Sequence, residues 1–124
     1  MNVFLDSDVL IEITRGRDHT ILARWDALRE SDSQILFSPL SAAEVWSGAW
    51  RSEFNATLEL FAGLQCVPAF YETGELAGEF LRRYAKSHGL ELPDALIAAS
   101  AHLNGAALWT RNRKHYPMRE LTFY

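Results

Sequence analysis

Cysteine occurs once in the 124 residues, as Cys66. That excludes an internal disulfide and a cysteine-built zinc site. It suits a reducing cytoplasm, which is the expected location. Lysine is nearly as scarce, with only Lys86 and Lys114. Uninterrupted apolar runs long enough for a spanning helix are absent, and no membrane association is expected. The first residues, MNVFLDSD, lack the basic n-region and apolar core of a secretion signal. No two histidines are placed for metal-free RNA cleavage. No repeat, low-complexity tract or linker interrupts the chain, so a single domain over residues 1–124 is expected.

The composition is that of an ordinary folded protein, with 48% hydrophobic and 23% charged residues, which argues against disorder. Net charge is −4, which alone speaks weakly against nucleic-acid binding. The charge is unevenly spread. Arg111 to Arg119 reads RNRKHYPMR, with four Lys or Arg, one histidine and no acid. A basic segment on an acidic protein suits a phosphate-facing edge, or simply a solvated loop.

Short apolar runs alternate with helical periodicities. Met1–Leu5 reads as a strand ending at Asp6, followed by a helix over Val9–Thr14 that Ser7 or Asp8 caps and Gly16 stops. Ile21, Leu22, Trp25 and Leu28 place a helix over His19–Glu30. Gln34–Phe37 is a second strand, and Ser41–Trp50 the next helix. Phe54, Leu58, Phe61 and Leu64 mark another, before a short strand at Cys66–Val67. A long helix through Leu76, Phe80, Leu81 and Tyr84 stops near Gly89. Pro93 opens a helix that ends at Asn104–Gly105. Ala106–Trp109 is a strand, and Leu121–Tyr124 a candidate last one. Strands that are continuously apolar belong to a parallel sheet buried on both faces. The expected fold class is α/β, three-layered, with a short central parallel sheet of about four or five strands flanked by helices.

In such folds, sites form beyond the carboxyl ends of the strands. Asp6 and Asp8 follow strand one. Glu44 falls in the first turn of the helix after strand two, and Asp94 in the first turn of the helix at Pro93. Thr110, Arg111 and Asn112 follow the strand ending at Trp109. Each has a structural explanation as well. Ser41 to Glu44 matches a capping box. Asp94 suits the positive end of a helix dipole. Asp6 or Asp8 can cap the first helix, and Asn112 a turn. Those explanations do not account for a shared edge. Carboxylates ~4 Å apart at an effective dielectric of ~20 repel by roughly 4 kcal/mol, so a cluster needs protons or a cation. An all-oxygen site suits Mg²⁺, with Mn²⁺ as a substitute.

Four blocks now stand in order: VFLDSDVLIE, SAAEVWSGA, LPDALIAASA and LWTRNRKHYPM. Together they resemble the sequence blocks of PIN-domain ribonucleases, and most closely VapC-type toxins of bacterial toxin–antitoxin pairs. The likeness runs from Val3 to Met118. It implies a PIN fold, metal-dependent endoribonuclease activity, an RNA substrate, a homodimer and a small antitoxin partner that blocks the site. Asp6, Glu44 and Asp94 map to the motif acids as catalytic residues and metal ligands. Asn112 stands where many such domains carry a further acid, which favours one tightly held metal over two. Asp8 and Thr110 are expected just outside the ligands, because residues two apart on a helix face different ways. Arg111, Arg113 and Lys114 are expected to steady the RNA backbone. His115 reads as a loop histidine, and Asp94 or Asp6 serves as base.

Two rivals use the same residues. Asp6-Ser7-Asp8 resembles the opening of haloacid-dehalogenase-like phosphatases, but no adjacent acidic pair follows and lysines are few. A catalytically silent PIN-like module would bind RNA or protein without cleaving, and Asn112 gives that reading some force. The aromatic stretch Trp46, Trp50, Phe54, Phe61 and Phe70 is core by default, with room for a partner surface.

Overall fold

Valine, phenylalanine and leucine side chains alternate across the first strand, and each row meets its own hydrophobic layer. In the computed structural model, which describes residues 1–124, β1 is Asn2–Leu5, β2 Gln34–Phe37, β3 Gln65–Cys66 and β4 Ala106–Trp109. They form one parallel sheet in the order β3-β2-β1-β4. Phe4, Leu36 and Leu108 point to one face. Val3, Leu5, Phe37 and Trp109 point to the other. Both faces are covered, so nothing along these strands needs to be polar.

Six helices supply the covers: α1 Ser7–Arg15, α2 His19–Glu30, α3 Pro39–Gly48, α4 Phe54–Ala62, α5 Tyr71–His88 and α6 Leu92–Leu103. Phe80, Ala95, Ile97, Ala98 and Ala101 of α5 and α6 close the first face. The small alanines let α6 lie close to the sheet. Val9, Leu10, Ile21, Trp25, Leu28 and Val45 close the second. The α/β three-layer expectation holds, with four strands.

Several boundaries differ. The first helix begins at Ser7, because Asp6 itself is the extended cap residue, its Oδ1 accepting the Ser7 N–H at 2.8 Å. The third helix begins at Pro39, because Ser38 takes the cap and accepts the Ser41 N–H. Glu44 therefore sits in the second turn and caps nothing. Leu121–Tyr124 forms only one isolated parallel bridge, Leu108 to Phe123, against the free edge of β4. The aromatic stretch divides. Phe61 packs on Phe37 and Trp46, with Phe54 edge-on to Trp46, whereas Trp50 is 72% and Phe70 67% exposed. No helix is long and apolar enough to cross a membrane.

The strand order has one reversal. From β1 the chain moves to β2 and β3 on one side, then to β4 on the other. The crevice at such a switch lies between the carboxyl ends of β1 and β4.

Candidate active site

Three acids stand at that crevice and a fourth at its margin, each placed by a different local device. Asp6 follows β1 directly, and its backbone N–H donates to the Trp109 carbonyl at 3.0 Å, which locks it beside the end of β4. Asp8 stands in the first turn of α1. Asp94 stands in the first turn of α6, which runs back against the sheet and so starts at the carboxyl edge. Glu44 comes from α3, beyond the end of β2, and is exposed.

Asp6 is 8% exposed and heavily hydrogen-bonded. Its Oδ2 accepts the Tyr116 hydroxyl at 2.6 Å and the Thr110 hydroxyl at 3.0 Å. Asp8 Oδ2 accepts the Arg111 backbone N–H at 3.0 Å and a weaker contact from Thr110 at 3.4 Å. The helical-spacing objection to pairing Asp8 with Asp6 does not apply, because Asp6 is extended and not helical. Asp8 Oδ1 is buried with no hydrogen-bond partner.

The electrostatics of the group are one-sided. Burial, and then the neighbouring Asp6 charge, push the Asp8 carboxyl up to about 6. Burial and Asp6 also raise Asp94, while His115 and the Tyr116 hydroxyl hold it down. Burial, then the Asp6 and Asp94 charges, raise Glu44, and the nearby Ser7 side chain opposes them. Burial and the surrounding acids keep the Tyr116 phenol protonated far above its ordinary range, so it acts here as a donor. No lysine or arginine ion-pairs with any of the four acids. The nearest cationic candidate is His115, whose Nδ1 lies 3.8 Å from Asp94 Oδ2.

The basic run is less free than its sequence suggests. Arg111 pairs with Glu12 at 3.3 Å and Asp18 at 3.6 Å. Arg113 donates to the Tyr124 carbonyl at 3.1 Å and stacks on Phe123. Lys114 is exposed and makes no ion pair. The Asn112 side chain meets His115 Nε2 at 3.1 Å, so it touches Asp94 only through that ring.

Sequence reasoning missed two residues. Tyr116 is buried at 4% exposure and joins two of the acids. Glu12 is buried at 3% and anchors both Arg17 and Arg111. The helical spacing of Asp8 and Glu12 hinted at the second, and nothing local pointed to the first.

A divalent cation fits this donor set on three counts. The groups are oxygens throughout, their charge has no Lys or Arg to balance it, and one buried carboxylate oxygen is unpartnered. No three acidic, histidine or cysteine side chains are already gathered around one point. Exposed Glu44 is the arm that has to turn inward.

A second feature lies on the helix layer that also carries Asp8. Ile13, Trp25, Ile35, Leu60 and Leu64 line a groove of about 320 Å³ between α1, α2 and α4, with Arg29 and Glu59 at its rim.

A PIN domain family model matches residues 3–121. Ribonuclease VapC10 of Mycobacterium tuberculosis is 36% identical over 120 residues, covering 95% of this chain and 88% of that protein. The crystal structure of VapBC2 from Rickettsia felis bound to a promoter DNA fragment superposes with a TM-score of 0.81 at 22% identity, covering 100% and 98% of the two chains. A toxin–antitoxin complex from Klebsiella pneumoniae gives 0.77 at 24% identity, covering 97% and 95%.

Proposed function

The chain belongs to the PIN domain family, and from that premise we propose that it is a Mg²⁺-dependent endoribonuclease, the toxin of a type II toxin–antitoxin pair. The observation that carries the metal dependence is that the Thr110 hydroxyl joins Asp6 to Asp8 and the Tyr116 hydroxyl joins Asp6 to Asp94 at the switch of an α/β sheet, with Glu44 at the margin and no Lys or Arg paired to any of the four. Kinship with VapC10, itself called a ribonuclease, supports RNA as the substrate.

Asp6, Glu44 and Asp94 hold the ion, with Mn²⁺ as an alternative. Bound there, the cation supplies an activated water and neutralises charge on the phosphodiester. Asp6 is set by the hydrogen bonds of Ser7, Thr110 and Tyr116. Asp8 shares the Thr110 hydroxyl and adds charge beside the ligands. Asn112, neutral and turned to His115, contributes no charge for a second ion, so one firmly held metal is the preferred state. Lys114 is a basic side chain free to meet the RNA backbone, while Arg111 and Arg113 shape the rim through their own partners.

The partners follow from the same reading. The apolar groove on the α1, α2 and α4 side suits a segment of a cognate antitoxin, and exposed Trp50 and Phe70 leave apolar surface for a second copy of the chain. The chain acts as one domain over residues 1–124, in the cytoplasm.

The direct test is incubation of total RNA with the protein and Mg²⁺, wild type against Asp6→Asn, with the cut ends mapped. Cleavage that needs Mg²⁺ and Asp6 is expected. Full activity in excess EDTA would sink the metal mechanism.

A further inference from the structure

Tyr116 sits in the basic run, yet it turns away from its charged neighbours. Arg113, Lys114 and His115 are exposed, while Tyr116 is buried in the cluster that holds Phe4, Phe80, Leu108 and Met118. A phenylalanine would fill that apolar space as well. The hydroxyl needs another reason, since burying one without a partner costs free energy. Its position supplies the reason. The oxygen is 2.6 Å from Asp6 Oδ2 and 3.4 Å from Asp94 Oδ1. The one proton goes to the nearer carboxylate, and the oxygen stays between two like charges.

The remaining valences of Asp6 are accounted for. Oδ2 takes both hydroxyls, from Tyr116 and Thr110, and Oδ1 takes the Ser7 N–H. A carboxylate oxygen accepts two hydrogen bonds, so Oδ1 keeps one open lone pair. We infer that Tyr116 is a positioning residue of this site, its hydroxyl fixing the Asp6 carboxylate and keeping Asp94 beside it, so that the pair meets a divalent cation already shaped. This rests on the proposed metal site. Carboxylates that ligate metals are themselves held by outer hydrogen bonds, and loss of such a partner typically costs about 10–100-fold in metal affinity.

The test compares Mn²⁺ binding to the metal-stripped full chain, wild type and Tyr116→Phe, by titration calorimetry. Binding about 10–100-fold weaker is expected for the variant. The rise in thermal midpoint on adding Mn²⁺, each protein measured against its own metal-free midpoint, should shrink in parallel and is readable even if the variant starts less stable. In RNA cleavage, the variant should need more Mn²⁺ and recover most of the wild-type rate at saturation. Equal Mn²⁺ affinities for the two proteins would overturn the positioning role alone. A rate that stays collapsed at saturating Mn²⁺, with affinity unchanged, would also overturn it and move Tyr116 to the reacting atoms. A wild type without saturable Mn²⁺ binding would overturn the metal site and this inference with it.

Discussion

The Asp8 carboxylate accepts the backbone N–H of Arg111 at 3.0 Å, which ties the first turn of α1 to the segment leaving β4. The other oxygen of that carboxylate is buried without a partner. The folded protein therefore holds a proton on Asp8 more tightly than the unfolded chain does, with a value of about 6 against an ordinary 3.8.

The consequence is a pH dependence of known sign. The stabilisation from a protonated Asp8 is full below about pH 4 and is lost as pH rises through about 6. Asp8→Asn keeps an oxygen for the Arg111 N–H and removes the charge. In metal-free protein the variant should gain roughly 1–2 kcal/mol on wild type at pH 7–8, allowing for partial solvent screening, and almost nothing at pH 4. Thermal midpoints in EDTA across that range measure the difference, and a gap that does not widen with pH refutes the assignment.

The charge of Asp6 acts on every other acid of the site and on the Tyr116 phenol. It raises Asp8, Glu44 and Asp94 alike. Asp6→Asn should thus lower all three carboxyls, as followed by carbon-detected NMR titration of the metal-free protein. If the three stay in place, they do not share one field.

Asp94 and Glu44 separate chemistry from stability. Asp94 is half-buried and Glu44 exposed, and neither caps its helix. Asp94→Asn and Glu44→Gln should each reduce Mg²⁺-dependent cleavage by more than the ~100-fold that loss of an outer hydrogen-bond partner costs. Unfolding midpoints of the metal-free proteins should stay level or rise slightly, because a repelled charge has gone. Retained cleavage in either variant would remove that residue from the site.

The groove provides an independent test of partnership. Ala56 is exposed at its edge, away from the acids. Ala56→Arg should leave RNA cleavage unchanged while weakening neutralisation by the cognate antitoxin, read as growth arrest that co-expression no longer relieves. Normal rescue would place the antitoxin elsewhere.

How much of this was legible in the sequence depends on range. Asp6, Glu44 and Asp94 could be found because each follows a strand end or helix start that short-range patterns reveal. Their capping explanations could not be weighed there. Asp6 proved to be both a cap and a site residue, and Glu44 proved to cap nothing. Tyr116 was invisible because its burial depends on the chain folding back over a sheet edge, against an aspartate 110 positions earlier. Arg111 read as a free cation because its partner Glu12 lies 99 positions away and seemed only one more helical acid. The candidate last strand at Leu121–Tyr124 stops short of a full ladder. Phe123 forms one bridge to Leu108 of β4, through the Leu108 N–H to the Thr122 carbonyl and the Tyr124 N–H to the Leu108 carbonyl.

The pairing of β1 with β4 joins Asn2–Leu5 to Ala106–Trp109, so the hydrogen bonds that set Asp6 form only once β4 has been made. During synthesis Asp6 leaves the ribosome long before Thr110 and Tyr116 do. Until β4 docks, Asp6 lacks the hydroxyls of Thr110 and Tyr116 that hold its carboxylate. Order at the acidic crevice is in this way acquired last, when the final segment of the chain has been added.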